Sequence, residues 1–148
     1  MWSIPFTHVQ LCFSCYAVVA TQLLEFHYAK HNRPMRFSVQ QIVDCTSHHC
    51  QGGTMEETMA YMSSNPIAFE HSYTGSCSGR GVMVDYHLHR NASPERIKEL
   101  LKEGPLGVGL GNHMSLLLGY NGSWVYADHI SHQIGRFVVQ VTGIRNYI

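Results

Sequence analysis

A cysteine and a histidine in this sequence could together carry out acyl transfer. Cys15 stands where a long apolar segment begins, and that segment reads as a helix. The unpaired N–H groups at a helix N-terminus carry roughly half a positive charge, which favours a thiolate and makes the sulfur nucleophilic. A nucleophilic cysteine also needs a base, usually a histidine that a third group orients. His113 and Asp128 are the candidates for these two roles.

A β-hairpin is expected to bring the histidine and the acid together. His113 begins a strand-like run, Asn121-Gly122 is a strong turn signal, and Asp128 closes the next run. Such a hairpin would place His113 and Asp128 near one end of neighbouring strands. Acyl transfer also requires a donor for the oxyanion. Gln10, shortly before Cys15, can supply one beside the backbone N–H of the cysteine.

The remaining cysteines admit three interpretations. Five cysteines allow two disulfides and one free thiol, which suits an oxidising compartment. Cys12 and Cys15 form a CxxC, which is also the spacing of a redox pair. The segment Cys45–Cys50 includes His48 and His49, so it has zinc-ligand residue types at close spacing. Spacing alone does not choose among the three.

The composition limits the class of function. Lys+Arg and Asp+Glu both number 10, so no net charge attracts nucleic acid or an acidic membrane surface. Hydrophobic residues make up 45%, which excludes a disordered chain. No apolar run approaches the roughly 20 residues of a membrane helix, and no signal peptide is expected in the first residues. Most of the 11 histidines are expected to be solvated or hydrogen-bonded surface groups.

The elements that must position these residues change character along the chain. Apolar faces and capping patterns predict helices that begin after Ser14, Ser38, Thr54 and Ser93. Residues 65–92 contain scattered Gly and Pro and are expected to be irregular. Short strand-like runs separated by turns follow. Helices first and antiparallel strands later predict an α+β fold, with a helical lobe, a β lobe and a cleft between them.

Six segments resemble motifs of the papain-like (cathepsin-type) cysteine proteases, in the order in which that family has them. The run Gln10–Ala17 resembles the nucleophile segment, and His113–Tyr120 resembles the strand that carries the histidine. The other four are Val43–Cys45 with Cys50–Gly53, His71–Cys77, Gly104–Val108 and Gly135–Phe137. The resemblance implies a single papain-like peptidase domain over residues 1–148, with the helical lobe at about 10–80 and the β lobe at about 82–148.

The resemblance implies a role for each matching residue of the site. Cys15 would be the nucleophile, His113 its general base and acid, and Gln10 the oxyanion donor. Asp128 stands where the family usually has Asn, and it would orient the imidazole. Neither a metal nor a cofactor is implied.

The resemblance also implies how the cysteines pair. Cys12 would bond to Cys50 and Cys45 to Cys77, which leaves Cys15 free. Disulfides in turn imply an extracellular, secretory or lysosome-like compartment.

Substrate contacts are implied at Phe13, Gly52 and Gly53, but this part of the chain departs from the family pattern. Phe13 and Leu11 replace glycines, and the benzyl group of Phe13 could fill the non-primed subsites. The family's Asn-Ser-Trp-Gly is missing after Asp128. The nucleophile and the histidine are 98 positions apart, against roughly 130–150 in typical members, so a trimmed β lobe is expected.

Two functions follow from the resemblance and its departures. The first is a papain-like cysteine endopeptidase that hydrolyses peptides or proteins through a Cys15 thiolate–His113 pair and an acyl-enzyme intermediate. The second is a catalytically impaired papain-fold protein that acts as a binding or structural subunit. Its low-charge surface would then be covered by protein partners, since charged residues make up 14% of the chain.

Overall fold

The computed structural model describes residues 1–10, 12, 14–47 and 49–148. Within these residues it contains four α-helices and six strands. The helices are α1 (Cys15–Ala29), α2 (Val39–Cys45), α3 (Met55–Ser64) and α4 (Pro94–Leu100). The strands are β1 (Gly81–His89), β2 (Leu106–Leu110), β3 (His113–Tyr120), β4 (Trp124–Tyr126), β5 (Ile130–Ser131) and β6 (Val138–Tyr147).

All six strands belong to one antiparallel sheet, in the order β1-β6-β2-β3-β4-β5. Three helices precede the first strand, and α4 stands between β1 and β2. The predicted α+β fold is therefore confirmed. None of the described helices is both long enough and apolar enough to cross a membrane.

The helix starts agree with the capping patterns of the sequence. Ser38, Thr54 and Ser93 each accept a hydrogen bond from the backbone N–H three residues later, at the start of α2, α3 and α4. Helix α1 differs, because Ser14 precedes it without forming a side-chain cap. The first turn of α1 therefore keeps N–H groups that the hydroxyl of Ser14 does not satisfy.

Strand β1 corrects one prediction. Residues 65–92 are expected to be irregular, and this is wrong for residues 81–89, which pair with β6 along their whole length. Val82 and Val84 are fully buried, but the register shifts between Asp85 and Tyr86. The extra residue at this shift is Thr142 of β6, so β1 itself alternates, with Val82, Val84, Tyr86 and Leu88 packed on one face. The apolar Met83 between two of these residues, and the glycines before the strand, hide the alternation in the sequence.

The sheet is packed on both faces. One hydrophobic cluster joins α1, α2 and α3 to one face, and a second cluster lies between α4 and the other face. Leu116 and Leu117 are neighbours on β3 and belong to different clusters, because successive side chains of a strand point to opposite faces. Helix α1 lies in the first cluster and is buried on most of its surface. It is thus held rigidly against β3.

His27 shows how deeply α1 is buried. Its side chain packs edge-on against Phe26, with 5.1 Å between the ring centroids. Its Nε2 atom is buried and has no hydrogen-bond partner among the described residues. Burial, and to a lesser extent the charge of Lys30, lowers the pKa of His27 to about 4. The expectation that histidines lie at the surface is wrong for this one, because the helix that carries it is enclosed by the core.

The fold is expected to lose stability in acid because of His27. Its pKa in the folded chain, about 4, lies below the ordinary value of 6.5, so the unfolded chain takes up the proton first as the pH falls. The contribution of neutral His27 to the free energy of unfolding is therefore complete above pH 6.5, and it is lost as the pH falls from 6.5 to about 4. The loss in the free energy of unfolding is roughly 3 kcal/mol for this one group.

Urea unfolding of the wild type and of His27→Leu, at about pH 7 and about pH 4, measures this contribution. The free energy of unfolding of the wild type, relative to that of His27→Leu, should be about 3 kcal/mol lower at the acidic pH than at neutral pH. His31→Leu is the matched control, because His31 is exposed and the same substitution there should leave the pH dependence unchanged. Parallel stability curves for wild type and His27→Leu would contradict the assignment.

Candidate active site

A cavity of about 260 Å³ lies between the N-terminal segment, α1 and β3. Four of the residues that line it are Gln10, Cys15, His113 and Asp128. The structure thus brings to one place the four residues for which the resemblance implies catalytic roles. The N-terminal segment, α1 and β3 pack on one another through the first hydrophobic cluster, and the segment after β4 adds Asp128.

Cys15 is the first residue of α1 and is half-buried. The N–H groups of Ala17 and Val18 both donate to the carbonyl of Ser14, at 3.0 and 3.1 Å. The N–H groups of Cys15 and Tyr16 precede them and have no acceptor in the helical pattern. They form the positive end of the helix dipole, so a negative charge on the sulfur, or on an oxygen next to it, is favoured there.

His113 is the first residue of β3 and lies exposed at the rim of the cavity. Asp128 follows β4, the next strand of the sheet, and Ala127 donates from its N–H to the carbonyl of Leu116 at 2.9 Å. The hairpin that the sequence predicts therefore forms, and both side chains line the cavity. The carboxylate of Asp128 accepts a hydrogen bond from Nδ1 of His129 at 2.7 Å. Its second oxygen has no hydrogen bond among the described residues, so the bond to His129 leaves an acceptor for His113, although no hydrogen bond joins His113 and Asp128 in the structure.

Gln10 reaches the cavity from the N-terminal segment. Its Nε2 donates to the backbone carbonyl of Cys12 at 3.0 Å, and the side chain is exposed. A primary amide has two N–H donors, so one of them remains available for an oxygen atom in the cavity.

The structure contains two disulfides, Cys12–Cys50 and Cys45–Cys77. These are the pairs that the resemblance implies, and Cys15 is the free thiol of the described residues. The bond to Cys50 rules out a redox pair between Cys12 and Cys15.

A zinc site in the segment 45–50 is likewise ruled out, because the sulfurs of Cys45 and Cys50 are bonded to other cysteines. His48, which was a candidate ligand, lies outside the described residues. Among the residues that the structure does describe, no three His, Cys, Asp or Glu side chains are grouped so as to hold a metal ion.

The two glycines implied as substrate contacts are half-buried and are not part of the cavity lining. Gly53 lies against the ring of Tyr16, where a Cβ would stand 2.7 Å from Cζ. Gly52 has φ +102°, a conformation that favours glycine. Their role toward a substrate stays a prediction. Phe13 and Leu11, for which substrate effects are also predicted, lie outside the described residues.

Sequence patterns do not single out two further residues of the cavity, His8 and Ser115. The His8 side chain is only 4% exposed and contacts Glu25, so the expectation of a surface histidine is wrong here as well. A signal was present, since Glu25 is a lone acid within the apolar helix α1 and a buried carboxylate needs a partner. Ser115 has a buried Oγ with no hydrogen-bond partner among the described residues.

A sequence model described as "Papain family cysteine protease" matches residues 4–144. This chain belongs to the papain family. It is 30% identical to digestive cysteine proteinase 3 of Homarus americanus over 116 residues, and 31% identical to vinckepain-1 of Plasmodium vinckei over 127 residues. These alignments cover 71% and 75% of this chain, but 36% and 24% of the two relatives. The chain therefore spans about a third or less of their length.

Solved structures of papain-family proteases share the fold. The proform of Amb a 11, a cysteine protease and major ragweed pollen allergen, matches with a TM-score of 0.77 at 18% identity, over 95% of this chain and 56% of that one. Bromelain from Ananas comosus, in complex with the E64 inhibitor, matches with a TM-score of 0.73 at 16% identity, over 95% and 94% of the two chains. The two-lobe papain-like architecture, helical first and antiparallel β second, is thereby shown.

Ser115→Ala is expected to leave the fold as stable as the wild type or to stabilise it by up to about 1 kcal/mol. The substitution removes a buried hydroxyl that has no partner, and so removes its desolvation cost. Ser38→Ala is the matched control, because Ser38 is equally buried but its Oγ accepts the N–H of Gln41 at 3.0 Å. That variant should lose about 1 kcal/mol. Denaturant unfolding measures both, and an equal loss in the two variants would show that Ser115 is satisfied.

Proposed function

We propose that this chain is a papain-like cysteine peptidase that hydrolyses peptide bonds in peptide or protein substrates. The observation that carries the proposal is the single cavity lined by Cys15, His113 and Gln10, with the sulfur at the N-terminus of α1. Membership of the papain family supports the same reaction class. The uncovered N–H groups of the first helical turn support the thiolate that the reaction needs.

In the proposed reaction, His113 takes the proton of the Cys15 thiol, and the thiolate attacks the carbonyl carbon of the substrate. The charge that develops on the carbonyl oxygen accepts hydrogen bonds from the Gln10 side chain and the Cys15 backbone. His113 then gives the proton to the leaving amine, which leaves an acyl-enzyme. A water molecule, deprotonated by His113, cleaves the thioester and restores the free thiol.

Asp128 is the proposed orienting group for His113. Its position in the hairpin, one strand away from His113, supports this role. A carboxylate accepts an N–H of the imidazole as an amide oxygen would, and the oxygen of Asp128 that does not bond to His129 is free to do so.

We also propose that residues 1–148 act as one peptidase domain, with lobes at about 10–80 and 82–148. The first hydrophobic cluster supports this, because it combines residues of α1, α2 and α3 with residues of β1, β3 and β6. The two disulfides and the likeness to digestive proteinases support an extracellular, secretory or lysosome-like compartment.

A second candidate function is that of a catalytically impaired papain-fold protein that binds partners through its low-charge surface. The exposed carboxylate of Asp128 favours it: among the described residues this carboxylate bonds to His129, and no hydrogen bond joins His113 to Asp128 or to Cys15. In this case a Cys15→Ser variant would keep full affinity for the partner, because the thiol would have no part in binding.

Covalent labelling of the folded chain tests the peptidase proposal. An epoxide-type inhibitor of cysteine proteases should modify Cys15 alone, as measured by the mass of the intact chain and of its peptides. Cys15→Ser should abolish the adduct. His113→Ala should slow labelling, and turnover of a peptide substrate, by about 100-fold or more, because general acid–base catalysis contributes on that order.

The control for His113→Ala is His31→Ala, which removes an exposed histidine outside the cavity and should react like the wild type. Iodoacetamide serves as a small alkylating agent that reports access to the thiol. If iodoacetamide modifies Cys15 while the epoxide leaves it intact, the peptidase proposal fails and the binding protein is favoured.

A further inference from the structure

We propose that His8 is a positioning residue for the oxyanion donor, because it holds the segment that carries Gln10 next to Cys15. The inference rests on the proposed function, in which Gln10 donates to the developing oxyanion. His8 does not touch the substrate in this account. It acts through the backbone of the two residues that follow it.

The first support is a buried contact between His8 and Glu25. Nε2 of His8 lies 2.9 and 2.8 Å from the two carboxylate oxygens of Glu25. The two side chains are 4% and 0% exposed. The backbone N–H of Phe37 donates to the same carboxylate at 2.8 Å. Burying a carboxylate is costly unless hydrogen-bond donors replace its water molecules. Without His8, the buried carboxylate of Glu25 would lack one of its donors, which would destabilise this arrangement.

The second support is the way in which Arg36 orients the imidazole. A nitrogen of the Arg36 guanidinium lies 3.3 Å from Nδ1 of His8. A guanidinium only donates, so Nδ1 accepts and the ring proton lies on Nε2, where it points to Glu25. Glu70 stands 3.7 Å from Nδ1, beyond hydrogen-bond range, and pairs with Arg36 at 3.2 Å. The ring is therefore held from both sides.

The third support is that His8 is the buried anchor of its segment. Thr7 and Gln10 are exposed, and Val9 is 80% exposed. Glu25 and Cys15 belong to the same helix, so the contact with Glu25 ties the segment to the rigid element that carries the nucleophile. A freed segment would let the Gln10 amide leave the cavity, while the helix and the thiol stayed in place.

The experiment measures the position of the Gln10 amide and the reactivity of the Cys15 thiol separately. A peptide aldehyde forms a hemithioacetal with Cys15: the sulfur bonds to the carbonyl carbon, the carbonyl π bond opens, and the thiol proton goes to the oxygen. That oxygen lies where the oxyanion would lie, so the affinity for the aldehyde measures whether the Gln10 amide can donate a hydrogen bond there. Iodoacetamide forms a thioether without an oxyanion, so its rate reports the thiol alone.

In His8→Leu, the affinity for the aldehyde should fall by about 10-fold or more, since loss of one oxyanion donor costs on the order of 100-fold in rate. The iodoacetamide rate at Cys15 should stay within about 2-fold, because the helix end is untouched. His8→Gln keeps an N–H donor for Glu25 and should retain most of the affinity. Hydrogen exchange at residues 7–10 should be faster in His8→Leu, independently of any activity.

The matched control is His31→Leu, which should change neither readout. Arg36→Met provides a second route if His8→Leu does not fold, and should weaken aldehyde binding because it removes the donor that orients the ring. Unchanged aldehyde affinity in the variants, or a loss that equals the loss in iodoacetamide rate, would overturn the role of His8. A wild type that binds no aldehyde and forms no epoxide adduct would instead overturn the proposed function, and unchanged exchange at residues 7–10 would then also reject the anchor.

Discussion

A fully buried carboxylate inside helix α1 is the constraint around which the cavity is arranged. Glu25 has no exposed surface, so it needs donors, and two other segments of the chain bring them: His8 and the backbone of Phe37. These bonds tie the N-terminal segment, and the segment before α2, to the helix that begins with Cys15. A polar group in the core thereby fixes the relative position of the nucleophile and the amide proposed to assist it.

Strand β3 and the segment after β4 form the wall of the cavity that faces α1. β3 carries His113 at its start, and the hairpin with β4 returns the chain to Asp128. Because β3 packs against α1 on one face and against the α4 cluster on the other, its position is set by the core rather than by local turns. The disulfides Cys12–Cys50 and Cys45–Cys77 then restrain the irregular segments of the helical lobe, which have few apolar side chains of their own.

The helices can be predicted from the sequence because the patterns that start them are local. Caps such as Ser38 and Ser93 act within three residues, and the structure shows the bonds that the pattern predicts. β1 was not accessible, because glycines precede it in the sequence and the residues of β6 with which it pairs lie 49 (His89 to Val138) to 66 (Gly81 to Tyr147) positions further along the chain. The candidate site can be predicted in part. Motif order identifies Cys15 and His113, but it does not show that the carboxylate of Asp128 bonds to His129.

Motif order and local pattern were therefore sufficient for the papain family, the α+β fold and the helix starts, since each depends on residue types at short spacing. Tertiary packing decided which polar groups are buried and with which partners. His8 meets Glu25, while His27 and the hydroxyl of Ser115 are enclosed with no partner among the described residues. The physical reason is that burial depends on which elements pack together, and a side chain's hydrogen bonds form with whatever that packing brings within reach.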